Sequence, residues 1–166
     1  IDYMPTILHA LHLSKVPDMD GYSFLPILKG QEQKKRTEVF TQFNKIFAGI
    51  EYPMRGVQNE RYGYIVNFWS DGEKRIRGDA MGGRTFKAMN KAALTNKAFA
   101  ERVDLYKYRV PEELYDFKND PDGLVNLINE TELQDKLKKL KEILYKEMKR
   151  TDDPWQKDFK EKFMQW

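Results

Sequence analysis

The sequence contains no cysteine in its 166 residues, which excludes disulfide bonds and thiolate metal sites but leaves the cellular compartment open. No apolar run approaches the roughly 18 residues of a membrane span. A surplus of one charge is also missing, because 29 Lys and Arg nearly balance 26 Asp and Glu, for a net charge of +3. These absences predict a chain with no membrane span and no nucleic acid partner.

The sequence also lacks the common nucleophile and phosphate-binding motifs, including Gly-x-Ser-x-Gly, Ser-x-x-Lys and a glycine loop ending in Gly-Lys-Ser or Gly-Lys-Thr.

His9 and His12 could share one helical face and hold a metal, but no third ligand follows at helical spacing. Asp18 to Gly21 opens like a calcium loop, yet no acidic residues continue it. A partly buried histidine and a structural turn are the favoured interpretations, so we predict no catalytic or metal-binding residue.

The chain starts with Ile1-Asp2-Tyr3, which carries neither an initiator Met nor a signal sequence, and we expect a part of the protein to lie upstream. Asp2 is predicted to cap a first helix whose apolar stripe, Met4, Ile7, Leu8 and Leu11, needs a covering surface. A short helix over 23–28 follows and is closed by Gly30. The charged linker Gln31 to Arg36 is the predicted boundary.

Beyond this linker, β-branched and aromatic residues predict four strands, at Val39–Phe43, Met54–Val57, Tyr62–Phe68 and Glu113–Phe117. Residues 59–61 are short enough for a hairpin turn. The Gly-rich, charged stretch 70–83 predicts a surface loop, of the length that often forms a lid, and Phe86 to Leu94 a short helix before Val103.

A long amphipathic helix carries the stripe Leu133, Leu137, Leu140, Leu144 and Met148, with Asn129 and Glu132 at capping-box spacing. The predicted fold class is therefore α+β, a small antiparallel sheet of about four strands with this helix packed across it. The predicted divisions are a helical segment at 1–36, an α+β domain at 37–150 and an aromatic tail at 151–166 that docks on the body or on another subunit.

Basic residues cluster at Lys34-Lys35-Arg36 and at Lys138, Lys139 and Lys141, and both clusters are predicted to be solvated surface. Arg55 stands between Pro53 and Gly56, where a rigid approach and a missing side chain permit close contact. A guanidinium binds sulfate, phosphate or carboxylate in a bidentate manner. From the residues alone, pairing of Arg55 with a carboxylate across the sheet is the favoured interpretation.

Several segments together resemble the sulfatases, and within them the heparan N-sulfatase (sulfamidase) branch. Two segments resemble the end of the family's large domain: Asp2-Tyr3-Met4-Pro5-Thr6-Ile7-Leu8 and Asp20-Gly21-Tyr22-Ser23-Phe24-Leu25-Pro26-Ile27-Leu28-Lys29-Gly30. Others resemble its small domain: Tyr52-Pro53-Met54-Arg55, Glu113-Leu114-Tyr115-Asp116, Asp120-Pro121 and Asn126-Leu127. Thr151 with Asp153-Pro154-Trp155 resembles the sulfamidase tail, whereas Asp122-Gly123-Leu124 lacks a glutamate common in the family.

The resemblance implies a parent enzyme that cleaves sulfate from a sulfated glycan, with this chain as its carboxy-terminal part. The family's formylglycine, made within a C/S-x-P-x-R motif, and its calcium ligands have no counterpart here, so the chain alone is expected to be inactive. Arg55, with Tyr52 and Asn44 as neighbours, becomes a candidate for binding the glycan.

The implied partners are the upstream catalytic domain, the sulfated glycan and a second copy in a homodimer, and the implied location is periplasmic, secreted or lysosome-like. An independent glycan-binding module is the alternative, and it requires exposed aromatic residues such as Trp69 along a groove.

Overall fold

A computed structural model describes residues 1–32 and 36–166, which form two units, residues 1–39 and residues 40–166. The linker prediction falls partly on Gln33, Lys34 and Lys35, which lie outside the described residues. In the described ranges the helices are α1 (Tyr3–Ala10), α2 (Leu25–Leu28), α3 (Arg84–Ala92), α4 (Lys97–Tyr108), α5 (Gln134–Arg150) and α6 (Gln156–Phe163). The strands there are β1 (Val39–Lys45), β2 (Glu51–Gln58), β3 (Tyr62–Asn67) and β4 (Glu112–Asp116).

The first unit is built by hydrogen bonds between the two segments that follow Ile1 and Asp20. The Asp2 carboxylate accepts from the Tyr22 backbone N–H at 2.9 Å and from the Arg36 guanidinium at 2.8 Å. The Thr6 hydroxyl accepts from the Phe24 N–H at 3.0 Å. The predicted helix cap is therefore wrong, since the Asp2 side chain makes no cap bond to α1 and instead fastens the second segment.

The sheet of the second unit has the order β1-β2-β3-β4, with β2 and β3 antiparallel and β3 and β4 antiparallel. Asn59 turns the β2–β3 hairpin, because its side-chain oxygen accepts from the Arg61 and Tyr62 N–H groups. The outer edge of β4 is also covered, since Leu127 N–H donates to the Leu114 carbonyl at 2.8 Å and the Asn126 side chain accepts from Leu114 N–H. Such pairing protects an edge strand from other chains.

Helix α5 packs across β2 and β3, as the sequence predicts, and its stripe enters the core. The buried core residues are Val57, Tyr64, Val66, Leu114, Leu137, Leu140, Leu144, Met148 and Phe159. Phe159 comes from α6, so the aromatic tail docks on the same layer. The predicted α+β fold class is confirmed.

One local prediction about a helix is wrong, and another is incomplete. Helix α5 begins at Gln134 after a 3₁₀ turn at Thr131–Leu133, and no side chain caps it, so the capping box does not form. The predicted short helix before Val103 is present as α3, but Val103 itself lies buried inside a further helix, α4, which was not predicted and which Asn96 caps with its side-chain oxygen. The Ser70 to Gly83 segment is a loop except for a 3₁₀ turn at Asp79–Gly82.

None of the helices in the described ranges is long and apolar enough to cross a membrane.

Candidate functional site

Tyr52 anchors the loop that follows β3. Its side chain is 1% exposed, and its ring meets the Trp69 ring edge-on with 5.0 Å between centroids. The Tyr52 hydroxyl donates to the Arg75 carbonyl at 3.0 Å, and the Ile76 N–H donates to the Lys107 carbonyl at 2.7 Å. The loop is thereby fixed on one side to β2 and on the other to α4.

The start of this loop is a tight turn around Asp71. Its carboxylate accepts from the backbone N–H groups of Lys74 at 2.7 Å and Glu73 at 2.9 Å, and these two bonds lower the pKa of Asp71. The Lys74 ammonium donates to the Glu51 carbonyl at 2.9 Å and lies 5.0 Å from the Tyr52 ring centroid. Cation–π contact of this kind adds to the anchoring of the loop.

Between β2 and the loop lies an open cleft of about 650 Å³, in the usual size range for small-ligand sites. Its lining residues are Ile50, Tyr52, Glu73, Lys74, Arg75, Ile76, Arg77 and Met81. Three of them are cations and one is a carboxylate. Sequence reasoning assigned the loop to the surface and missed these cations, although Lys74-Arg75-Ile76-Arg77 places three positive charges within four residues.

Arg55 is buried on β2, where it is 4% exposed. Its guanidinium forms a two-pronged ion pair with Asp153, Nε to Oδ2 at 2.5 Å and Nη2 to Oδ1 at 3.2 Å. Its Nη1 donates to the carbonyls of Phe43 and Met54 at 3.2 and 2.8 Å. The predicted pairing of Arg55 with a carboxylate is present, but its partner comes from the tail between α5 and α6 and not from across the sheet.

The three predicted glycan-binding residues lie in different surroundings. Tyr52 lines the cleft, Arg55 is buried against Asp153, and Asn44 is exposed on β1. Among the described residues no hydrogen bond joins any two of these side chains. Contact of Arg55, Tyr52 and Asn44 with a glycan stays a prediction.

The Glu113 to Asp116 segment builds a buried polar network on β4. Glu113, 0% exposed, accepts from the Tyr115 hydroxyl at 2.6 Å, from the Asn67 amide at 2.7 Å and from Arg109 at 2.8 Å. Burial, with Glu113 beside it, raises the pKa of Tyr115. Both oxygens of the Glu113 carboxylate therefore accept hydrogen bonds, and these bonds hold β3, β4 and the end of α4 together.

The last residue of that segment, Asp116 at the end of β4, pairs with Arg61 in the β2–β3 turn. The Arg61 Nη2 lies 2.7 Å from Asp116 Oδ2 and its Nε 3.0 Å from Oδ1. The Arg61 guanidinium lowers the pKa of Asp116. The four-residue motif thus acts as structural support, and no substrate role is needed to account for it.

The structure also shows where the two histidines of the possible metal site lie. His9 bonds the Ser23 hydroxyl at 2.9 Å, whereas His12 lies beyond the end of α1 with a φ of 57°, so the two do not share a helical face. Within 1–32 and 36–166, no group of three or more His, Asp and Glu is placed to hold a metal ion.

Lys141 contradicts the prediction of a solvated basic cluster, because it is 7% exposed and pairs with Glu112 at 2.5 Å.

Curated proteins similar to this chain are sulfatases. A ulvan-active sulfatase of Formosa agariphila is 32% identical over 155 residues, which cover 89% of this chain and 27% of that protein. The human N-sulphoglucosamine sulphohydrolase is 28% identical over 166 residues, covering 93% of this chain and 33% of that protein. The chain spans about a quarter to a third of the length of the relatives it matches. No family profile matches it.

Solved structures share the fold. The structure of a 2-O GAG sulfatase aligns with a TM-score of 0.63 at 20% identity, covering 94% of this chain and 26% of that one. A second protein, solved in complex with its substrate D-glucosamine-2-N,6-O-disulfate, aligns with a TM-score of 0.58 at 19% identity, covering 92% of this chain and 24% of that one. The resemblance to sulfatases predicted from the sequence is confirmed by these comparisons.

Proposed function

This chain is similar to the sulfatases in sequence and in fold, and we propose that it is the carboxy-terminal part of a larger sulfatase that hydrolyses sulfate from glycans. The observation that carries the proposal is the pair of partial matches. Nearly the whole chain aligns with relatives that are three to four times its length. In this proposal the chain shapes the substrate pocket, and the groups that attack sulfate belong to the upstream part.

The proposal assigns formylglycine and calcium to the upstream part of the enzyme. The chain has no cysteine and no C/S-x-P-x-R motif from which formylglycine could arise. The proposal is also supported by the acidic residues of the described ranges, among which no group of three or more is placed to hold a metal ion. Asp116 and Glu113 are instead saturated by arginine and other donors within the fold.

We propose a heparan-type glycan as the substrate, with N-sulfoglucosamine as its sulfated unit. Support comes from the match to the human N-sulphoglucosamine sulphohydrolase and from the geometry of the two motifs that resemble this branch. Tyr52 to Arg55 and Thr151 to Trp155 are about a hundred residues apart, yet the Arg55–Asp153 ion pair joins them. A joined pair of motifs is more specific than either motif alone.

The upstream domain is the proposed partner of the first unit. Many apolar side chains of residues 1–39 are more than half exposed: Ile1, Tyr3, Met4, Ile7, Leu11, Leu13, Val16, Ile27 and Leu28. Contiguous exposed apolar surface marks an interface in a folded protein. The proposal also includes a homodimer of the parent enzyme and an extracytoplasmic location, periplasmic, secreted or lysosome-like, where sulfated glycans occur.

The decisive experiment compares this 166-residue chain with the longer protein encoded by the same reading frame. Both are assayed for release of sulfate from N-sulfoglucosamine, from a 2-O-sulfated disaccharide and from a ulvan oligosaccharide. We expect release by the longer protein, fastest from N-sulfoglucosamine, and none by the chain alone. Release by the chain alone, or no release by the longer protein from any substrate, contradicts the proposal.

An independent glycan-binding module is the second candidate, and the structure supplies no exposed ring at the position on which it depended. Trp69 is 6% exposed and packs its ring against Tyr52 instead of facing a groove. Modules that bind sugars by stacking need an accessible aromatic face. The sulfatase proposal is therefore the better supported of the two.

A further inference from the structure

We propose that the cleft between β2 and residues 73–77 is a subsite for a sulfate group of an oligosaccharide, with Arg75 and Arg77 as the residues that bind it. The inference rests on the proposed function for the identity of the ligand, while the site itself rests on the geometry of the cleft. Arg75 and Arg77 stand in a stretch of the chain, residues 73–77, that carries none of the motifs resembling sulfatases, whereas Tyr52 on the other side of the cleft belongs to one of them.

The charge of the cleft is the first argument. Lys74, Arg75 and Arg77 line it, and Glu73 is its one carboxylate among the described residues. No salt bridge in the described ranges involves Arg75 or Arg77, in contrast to Arg55 and Arg61, whose guanidinium groups are paired with aspartate. A guanidinium without an anion retains its full fork of donors for sulfate.

The rigidity of the cleft is the second argument. The backbone of the loop is held at the Lys74 N–H by the Asp71 carboxylate, at the Arg75 carbonyl by the Tyr52 hydroxyl and at the Ile76 N–H by the Lys107 carbonyl. All three bonds use backbone atoms of the cation-bearing segment. The cationic side chains are therefore displayed on a fixed frame, which lowers the entropy lost when a ligand binds.

The composition of the walls is the third argument. The apolar side chains of Ile76 and Met81 line the cleft beside the cations. A sugar presents C–H faces between its polar substituents, and a ligand site combines apolar walls with a few placed polar groups. Inorganic sulfate alone would use only the cations, so an oligosaccharide is expected to bind more tightly than the free ion.

The test measures binding of size-defined heparin oligosaccharides to the 166-residue chain by calorimetry. The variant Arg75→Gln/Arg77→Gln is compared with Lys157→Gln/Lys160→Gln. The control also removes two positive charges, but from exposed positions on α6. The loop anchors use the backbone of residues 75 and 76, so both variants are expected to keep the circular dichroism spectrum and melting temperature of the parent chain.

We expect at least about tenfold weaker binding for the cleft variant, which corresponds to about 1.4 kcal/mol, and less than a twofold change for the control. Desulfated oligosaccharide and inorganic sulfate are expected to bind at least about tenfold more weakly than the sulfated oligosaccharide. Equal losses in the two variants, equal binding of the desulfated sugar, or no binding by the parent chain would overturn the subsite.

Failure of the subsite and failure of the sulfatase proposal are distinguishable. If the longer protein releases sulfate and Arg75→Gln/Arg77→Gln changes neither its KM nor its kcat, the subsite is wrong and the sulfatase proposal stands. If the cleft binds sulfated oligosaccharide but the longer protein releases no sulfate, the subsite stands and the enzymatic proposal is wrong. An increase in KM without loss of kcat is the expected result.

Discussion

Helices α1 and α5 both carry an apolar stripe at helical spacing, but only α5 buries it. On α5, Leu140 and Leu144 are each 2% exposed, whereas Met4 and Ile7 on α1 are 57% and 53% exposed. The sheet of residues 40–166 supplies the covering layer for α5. Periodicity therefore predicts which side chains need burial, but it does not identify the surface that buries them.

The two units also differ in how they use polar groups. In residues 40–166 several charged side chains are buried and paired within the fold, as at Glu113 and at Arg55 with Asp153. In residues 1–39 the Asp2–Arg36 pair is partly exposed, and the apolar surface is largely in water. We expect substitutions in the sheet unit to have the larger effects on stability.

The largest expected effect comes from Asp153→Ala. This substitution leaves the Arg55 guanidinium buried without its carboxylate, and breaking a buried ion pair costs about 3–5 kcal/mol. Urea unfolding of the chain measures the loss. The double variant Arg55→Met/Asp153→Leu removes both charges and should lose less than Asp153→Ala alone. Equal or greater loss in the double variant would show that the hydrogen bonds of these side chains to the Phe43 and Met54 carbonyls and to the Trp155 N–H, and not the unpaired charge, dominate.

The next largest effect is expected from a leucine-to-alanine substitution in the sheet unit, which is compared with the same substitution in the first unit. Leu144→Ala opens a cavity in the core between α5 and the sheet and should cost about 2–5 kcal/mol. Leu28→Ala removes a side chain that is 67% exposed and should change the free energy of unfolding by less than about 0.5 kcal/mol. Both are read from the urea midpoint. A cost above about 1.5 kcal/mol for Leu28→Ala would mean that its side chain is covered in solution.

A smaller effect is expected from Gly21→Ala within the first unit. A Cβ at this position would collide with the Ile1 carbonyl and lie 3.0 Å from the Pro5 ring, so the two segments would have to separate. Overpacking of this kind costs about 1–3 kcal/mol. Faster hydrogen exchange at the Thr6 and Phe24 amides measures it, with Gly78→Ala as the control, because the φ of Gly78 is extended and an added Cβ there would meet no neighbour. Unchanged exchange in Gly21→Ala would contradict the packing around Ile1.

The main elements of the sheet unit were predictable because their signals are local. Alternating β-branched and aromatic residues indicate β2 and β3, and the stripe from Leu137 to Met148 indicates α5. Helix α4 was not predicted because its apolar residues form no continuous stripe, and Val103 is its one buried residue. Lys141 was assigned to the solvent because its partner, Glu112, lies on a different element.

The candidate site was less predictable for the same physical reason. The pairing of Arg55 with some carboxylate follows from its residue type, but the partner is 98 positions away and no local pattern identifies Asp153. The cleft cations were visible as a charged loop, and only the tertiary bonds of Tyr52 and Lys107 show that this loop is fixed beside β2. Local patterns specify elements, whereas sites arise where distant elements meet.

The smallest expected effect is a loss of stability in alkali that originates in the sheet unit. Burial, with Glu112 beside the hydroxyl, raises the pKa of Tyr64, and burial also raises that of Tyr115. The unfolded chain releases these protons near pH ~10, whereas the folded chain retains them. The stabilisation is therefore complete below pH ~10 and is lost as pH rises toward the folded pKa values, by up to about 1.4 kcal/mol per pH unit for each tyrosine.

Urea unfolding between pH 9 and 11 measures this slope, and Tyr64→Phe, which cannot ionise, should reduce it although it also lowers stability at neutral pH by breaking the bond to Glu112. The phenolate absorbance followed in parallel should show Tyr64 and Tyr115 ionising only as the chain unfolds. If both ionise in the folded chain near pH ~10, the sheet is open to water at these positions, and the contrast between the two units is smaller than their exposed areas indicate.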